Sequence, residues 1–459
     1  MKTYKFYIAI ILFLPFFSGC EKILEVTPTT TLPSKGVINS TSNATAAVRG
    51  MYHSLQSANY YGQYVLVWGD LASDNLRHSG TFTTDQEVDA NDVLSSNSTL
   101  EVVWAQLYYS ISCANYILQD VPSVKDMADS IKNQYRAEAF FVRALSYFNL
   151  VRSFGKVPVV KSPARSLDQI TLPARTSVDS VYSFIQSDLD SSIALFPAGF
   201  SKPNINPADL NGQASKMAAM ALKARIYLFE KNWQLAMNYA DSVFESGQFT
   251  LETNYSDIFD YTKKYSDESI FEIDFTKLNS NALAFWFNPR PAGRLEYEPT
   301  PELIAAYDHN DKRYQYNINE YQVQVDTNIV TRYMVGKYQD ISSGSDNVVV
   351  LRFAEIYLIK AEAGLHNAID PSGLTPLNYI NFIRQRAKVP DLSSATLDDV
   401  YNERRFEFAF EGYRWYDLTR TGTAQAFLPS VTSDNQYVWP VPQPEIDVNP
   451  NLKPQNNGY

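Results

Sequence analysis

The sequence predicts an all-α-dominated fold, an irregular scaffold of helix pairs whose long loop insertions cover one face. Three observations predict it. Apolar residues recur at helical spacing in several segments. Turn signals split these segments into pairs. Long and unequal polar or proline-punctuated stretches stand between the pairs.

The elements follow in chain order. Lys2 and Lys5 precede an apolar run from Phe6 to Phe17 that ends Phe17-Ser18-Gly19-Cys20. About a dozen apolar residues are too few to span a bilayer, which needs about 20, so residues 1–19 read as a cleaved export signal. Small residues before a cysteine resemble a bacterial lipobox, which implies cleavage before Cys20 and its acylation. An ordinary secretory signal with a chance cysteine is the alternative. One acyl chain holds only marginally, whereas the several chains of a lipoprotein anchor stably. Residues 20–45, rich in Thr, Pro, Ser and Asn, read as the lipidated N-terminus and a tether, and 46–459 as a single helical domain.

Within that domain, residues 59–103 form a first insertion rich in Tyr, Asp, Asn, Ser and Thr. RAEAFFVRALSYFNLVRSFGKVP at 136–158 carries Ala137, Phe140, Phe141, Ala144, Leu145, Phe148 and Val151 on one stripe until Gly155 and Pro158 stop it. A helix pair fills about 214–246. Ala219, Leu222, Ile226 and Phe229 make one stripe, Ala236, Ala240, Val243 and Phe244 the other, and Asn232-Trp233 marks the turn. The second insertion, 253–350, carries Pro289, Pro291, Gly293, Pro299 and Pro301 among many aromatics. A third pair lies near 351–388, with Phe353, Ile356 and Tyr357, a Pro371-Ser372-Gly373 break, then Leu377, Ile380 and Ala387. Ala144 to Phe148 and Ala240 to Phe244 share the spacing A-x-x-x-F, and Trp233 opens its helix as in tetratricopeptide units. The insertions interrupt regular stacking, and specific residues belong in them.

Charge and composition narrow the function. The chain has 39 Lys and Arg against 50 Asp and Glu, and loss of Lys2 and Lys5 with the signal takes the net charge from -11 to -13. Nucleic-acid binding is thereby disfavoured. With Cys20 acylated, Cys113 is the only other cysteine, so no intrachain disulfide framework is available and the core must hold the fold.

Four segments resemble recurrent blocks of the SusD-like (RagB/SusD) family: 136–158, LRFAEIYLIKAEA at 351–363, NERRFEFAFEGYRWYDLTRTG at 402–422 and WPVPQPEIDVNPNLKPQNNGY at 439–459. The resemblance implies a tetratricopeptide-containing helical scaffold at the outer-membrane cell surface. It also implies capture of oligosaccharides, or in some members peptides, and their delivery to a TonB-dependent outer-membrane transporter without catalysis.

Motifs for chemistry are sparse. G-x-S-x-G, G-x-G-x-x-G, G-x-x-x-x-G-K-[ST] and C-x-x-C are absent. His53, His78, His309 and His366 show no metal-ligand spacing, so neither a metal nor a cofactor is expected. Glu403, Glu407 and Glu411 fall at i, i+4 and i+8 beside Arg404, Arg405 and Arg414. A helical glycoside hydrolase could use paired carboxylates, but aromatics interleave here and a buried salt-bridged helix is the expectation.

For a glycan site the informative residues are aromatics that expose a flat face, with polar groups to bond hydroxyls. Ala284 to Asn288 reads A-F-W-F-N, and three successive aromatics cannot share one face of a regular element. Trp286, Phe285 and Tyr297 are the aromatic candidates. In WGDLASDNLRHSGTF at 68–82, where the family often places polar contacts, Asp74, Asn75, Arg77 and His78 are the polar ones. Asp74-Asn75 reads equally as a turn or helix cap. Trp104, Trp233, Trp415 and Trp439 are assigned to packing.

Overall fold

The computed structural model describes residues 38–196 and 212–459. The signal and Cys20 lie outside the described residues. Ser40 accepts a hydrogen bond from the Asn43 amide and caps helix α1 (Thr41–Leu55), whose buried stripe is Ala44, Val48, Met51 and Leu55. The helix therefore begins inside the stretch expected as tether. Residues 41–45 form its first turn, and their Thr, Ser and Asn composition reflects capping and an exposed face.

The early insertion is also more ordered than a loop. It holds α2 (Tyr64–Leu71), β1 (Leu76–His78), α3 (Thr83–Asp89) and the start of α4 (Ser98–Asp120). Every residue from Val65 to Leu71 is buried, so α2 has no polar side and no stripe to read. Asn97 caps α4 by accepting from the Thr99 and Leu100 amides.

Helix α5 (Asp129–Phe154) stops at Gly155, whose φ of 69° suits a residue without Cβ. Then come α6 (Val178–Leu195), α7 (Lys216–Phe229) and α8 (Trp233–Phe244), the last two capped by Ser215 and Asn232. The second insertion contains β2 (Ser269–Ile273), α9 (Leu283–Phe287), β3 (Tyr297–Pro299), α10 (Pro301–Ala306), α11 (Lys312–Asn317) and the hairpin β4 (Ile318–Val325) with β5 (Asn328–Val335). Strand β6 (Val348–Arg352) takes Leu351 and Arg352 out of the expected helix, which starts at Phe353 as α12 (Phe353–Leu365). After it come α13 (Pro376–Ala387), α14 (Leu397–Glu407) and α15 (Arg414–Thr421).

Among the described residues the strands form three antiparallel two-stranded ladders, β1 with β3, β2 with β6 and β4 with β5. Helices carry the rest of the packing, α4 on α5, α5 on α6, α7 on α8, and α12 on α8 and α13. Ala144, Phe148 and Ala240 are fully buried. Phe148 meets Phe229 edge to face at 5.0 Å, and Phe244 touches Phe353, Tyr357 and Tyr379, tying α8 to α12 and α13. These contacts lie within the body formed by Ile38–Pro163 and Thr171–Tyr459; a separate short segment, Ala164–Ile170, contains one 3₁₀ turn at Leu167–Gln169.

The expected Glu403, Glu407 and Glu411 array is only partly helical. Helix α14 ends at Glu407, and Phe410 takes a left-handed φ of 68°, so Glu411 leaves the helix. All three carboxylates are nevertheless buried and ion-paired. Arg352 joins Glu268, Glu407 and Glu411, and Arg313 joins Asp311, Glu403 and Glu407. Trp104, Trp415 and Trp439 are core residues. Trp233 is only half-buried and stacks on His366 with ring centroids 3.8 Å apart.

Candidate ligand-binding site

The two insertions meet. In the β1–β3 ladder Leu76 faces Pro299, Arg77 faces Glu298 and His78 faces Tyr297. Beyond it the Ser79 amide donates to the Glu296 carbonyl at 2.9 Å and the Thr81 amide to Glu296 Oε2 at 2.9 Å. The Glu296 amide in turn donates to the Trp286 carbonyl at 2.8 Å, and the Arg294 amide to that of Phe285 at 2.9 Å. Gly80 leaves room for this carboxylate, because a Cβ on it would sit 1.7 Å from Glu296 Oε2 and the carboxylate would have to shift away from the Thr81 amide.

This backbone lattice brings aromatic rings to the surface. Trp286 meets Phe82 edge to face at 5.5 Å and Phe285 at 4.9 Å. Phe285 is 38% exposed. The Arg294 guanidinium lies 4.6 Å from the Phe82 ring centre and 5.6 Å from that of Trp286, within cation–π reach. It also pairs with Glu296 and donates to Thr81 Oγ1 at 2.6 Å. Arg77 pairs with Glu298 at 2.6 Å while 43% of its side chain stays exposed. Trp286 Nε1 is shielded from solvent and meets no acceptor among the described residues. Buried donors are nearly always satisfied, so this indole marks a place where structure alone does not explain the side chain.

The sequence candidates divide. Trp286 and Phe285 come together at this surface, and Arg77 lies on the adjoining β1–β3 ladder, paired with Glu298. Tyr297 does not belong to it as a binding face: it is fully buried, its hydroxyl donates to Asp85 Oδ2 at 2.6 Å and accepts from Gln63 at 3.0 Å. Burial raises the Asp85 carboxyl, opposed by hydrogen bonds from Tyr297 and Trp68. Asp74 is likewise structural, paired with Arg405 at 3.0 Å and Arg414 at 2.7 Å. Asn75 is fully buried and bonds Asp70 at 2.7 Å and Arg405 at 3.1 Å. His78 is nearly buried, 3.6 Å from Glu296. Strand alternation separates Tyr297 and His78, on one face of the ladder, from Arg77 and Glu298 on the other, whereas Asp74 and Asn75 precede the strand and are buried by their bonds to Arg405, Arg414 and Asp70.

Phe82, Thr81, Arg294 and Glu298 were missed from sequence. Phe82 ends the 68–82 segment, and Arg294 lies between Trp286 and Tyr297, so proximity to the chosen residues was the available signal. A three-residue strand carries none. Among the described residues no group of His, Cys, Asp or Glu could hold a metal ion, and no helix is long and apolar enough to cross a membrane. A cavity of about 240 Å³ walled by Tyr401, Asp417 and Phe427 shares no residue with this surface. Its Asp417 is already tied to Arg404 and Arg420, and we place the site where the two insertions join.

Comparison with known proteins agrees with this architecture. A family model described as starch-binding associating with outer membrane matches residues 22–228, and the SusD family model matches residues 295–435. A SusD-like protein of Formosa agariphila is 26% identical over 100% of both chains. The starch-binding protein SusD of Bacteroides thetaiotaomicron is 24% identical over 79% of each. The solved structure of surface glycan-binding protein A from Bacteroides fluxus superposes with a TM-score of 0.80 at 22% identity, covering 92% of this chain and 100% of that one. With two family models spanning both halves and relatives aligned end to end, the chain belongs to the SusD family.

Proposed function

We propose that the protein captures oligosaccharides or polysaccharides at the cell surface and hands them, uncleaved, to a TonB-dependent outer-membrane transporter. The observation that carries the binding reading is the surface cluster of Phe285, Trp286 and Phe82 beside Arg294, with the half-exposed Arg77 on the adjoining ladder. A sugar ring has an apolar face that lies on an aromatic ring and hydroxyls that accept from guanidinium and hydroxyl donors. The relatives named as starch- or glycan-binding support glycan as the ligand class. A non-catalytic role fits the carboxylates of this surface, because Glu296 and Glu298 are both engaged by arginines rather than set as a free acid and base across a cleft.

Anchoring through acylated Cys20, with residues 20 to about 40 as spacer, completes the arrangement. A glycan screen of the soluble mature chain tests binding and, in the same tubes, the absence of cleavage products. Copurification from mildly solubilised outer membranes should recover a large β-barrel partner in near-stoichiometric amount. Cys20→Ala should leave the fold intact and release the protein from membranes lacking that partner. Retention of Cys20→Ala after a high-salt wash would sink the anchor, and a lipoprotein always recovered alone would sink delivery.

A further inference from the structure

Every fully buried arginine among the described residues meets a carboxylate. Arg175 does not. It is half-buried in the lining of a groove of about 470 Å³, and among the described residues its guanidinium donates to the carbonyls of Lys156 at 2.8 Å and Pro454 at 2.7 Å and to the Asn456 side chain. Burial lowers its pKa from the ordinary arginine value, as expected where no counter-ion offsets the loss of water.

Lys156 and Lys453 line the same groove, and neither has a carboxylate within ion-pair distance among the described residues. The one acidic lining residue, Asp434, accepts from Gln425 at 2.6 Å. The amide side chains of Asn435 and Asn457 complete the wall. In a chain whose net charge is -11, three cations facing one engaged carboxylate make a local electropositive cleft. Its volume is that of an ordinary small-molecule site.

We propose that this groove is a second saccharide site, separate from the aromatic surface, and that it takes a sugar bearing an anionic group, the carboxylate of a uronic acid or a sulfate ester. Arg175, whose three nitrogens each already hold one protein acceptor, keeps one N–H on each terminal nitrogen for that anion. Lys156 and Lys453 add charge from the rim, and Asn435 and Asn457 both donate to and accept from hydroxyls. Three chain segments build the groove, residues 155–156, 174–178 and 434–457, and none contributes to the Phe285–Trp286 surface.

The test is calorimetric titration of the mature chain carrying Trp286→Ala, so that failure of the aromatic site cannot hide this one. The probes are trigalacturonate, a sulfated trisaccharide, a neutral trisaccharide, inorganic sulfate and a short oligoglutamate. An acidic trisaccharide should bind and the neutral one should not, and which acidic probe binds assigns the anion. Lys156→Gln with Lys453→Gln, both exposed and safe for folding, should weaken that binding about five- to tenfold, the sum of two surface charge contacts. Arg175→Gln should weaken it further. Equal binding of the neutral sugar, of sulfate alone or of oligoglutamate would overturn the proposal, as would an unchanged affinity in the double lysine variant.

Discussion

Two regions of this protein are built from the same chemistry and differ in what surrounds it. Around Glu407, arginines, carboxylates and aromatic rings are sealed on every side. Arg352 lies 4.4 Å from the Phe408 ring and holds Glu268, Glu407 and Glu411, while Arg386 bridges Glu268 and Glu407 from α13. Around Trp286, Arg294 lies 4.6 Å from the Phe82 ring and holds Glu296, but about a third of its side chain stays exposed. In the first region each charge is consumed by several partners from different elements, so the network can only lock the fold. In the second, rings and guanidiniums retain accessible faces and can meet a ligand. Accessibility rather than residue type separates the lock from the site.

The sharpest way to break this contrast is Glu407→Gln. Burial alone would raise this carboxyl, but Arg386, Arg352 and Arg313 together hold it well below its ordinary value. A depressed acid contributes stability above the unfolded value near 4.5, and that stability is lost as pH falls through the folded one. Removing one partner of a buried network costs about 3 to 5 kcal/mol because the arginines are left uncompensated. Urea unfolding near pH 7 should show that loss, with weaker acid sensitivity below pH ~4.5. An unchanged unfolding midpoint would contradict the locking role.

Glu138 sharpens the same point from the other side. It is fully buried with Tyr52 and Gln134 as polar neighbours and no guanidinium, and burial raises it from 4.5 to about 7. For a raised acid the contribution to stability is complete below the unfolded value and is lost as pH rises through the folded one. Stability should therefore fall between about pH 4.5 and pH 7 on its account. Glu138→Gln should flatten that slope and stabilise the protein at pH 8, by on the order of 3 kcal/mol. A slope that survives the substitution belongs to another group.

Legibility from sequence followed the same division between enclosed and open parts. Helix α8, buried along one stripe, announced itself through its pattern, and α5 and α7, though buried on most sides, did so through their length and through the stops and caps at Gly155, Ser215 and Asn232. Helix α2 did not, because it is buried on all sides, has only eight residues and no side-chain cap, so neither stripe, length nor cap marks it. For the site, the two insertions were legible as regions, yet Tyr297, Asp74 and Asn75 turned out to be interior. The orientation of Tyr297 depends on the pairing of two three-residue strands over 200 positions apart, and that of Asp74 and Asn75 on Arg405 and Arg414 more than 300 positions away; local pattern carries no information about either.

A smaller effect is expected at the aromatic surface itself. Trp286→Ala should weaken glycan binding by about 1 to 3 kcal/mol, the range for an anchoring aromatic, with little change in thermal unfolding because the ring is only half-buried. Trp415→Ala is the counterpart in the enclosed region, 1% exposed, and should cost about 3 to 5 kcal/mol of stability. Equal destabilisation by the two, or normal ligand affinity in Trp286→Ala, would remove Trp286 from the site.

The smallest expected effect is the most discriminating, because it concerns an ion pair on the outward face of the ladder that positions the site. Arg77 and Glu298 form one pair at 2.6 Å, with the arginine 43% exposed and the glutamate nearly buried. An exposed pair contributes about 0 to 1 kcal/mol, but here the nearly buried Glu298 loses its partner, so Arg77→Ala should cost on the order of 1 to 2 kcal/mol of stability, less than the ~3 to 5 kcal/mol expected for an arginine around Glu407. Binding should respond more, since the exposed part of the guanidinium is a donor on the ladder that adjoins the Phe285–Trp286 surface. Arg77→Lys keeps the charge but loses the planar fork, and it should recover only part of the affinity if hydrogen-bond geometry matters. Affinity measured at low and high salt separates the two contributions, because screening removes a charge effect and leaves a geometric one. Should Arg77→Ala reduce stability as much as Glu407→Gln while leaving affinity intact, Arg77 belongs with the lock and the boundary between the two regions has been drawn in the wrong place.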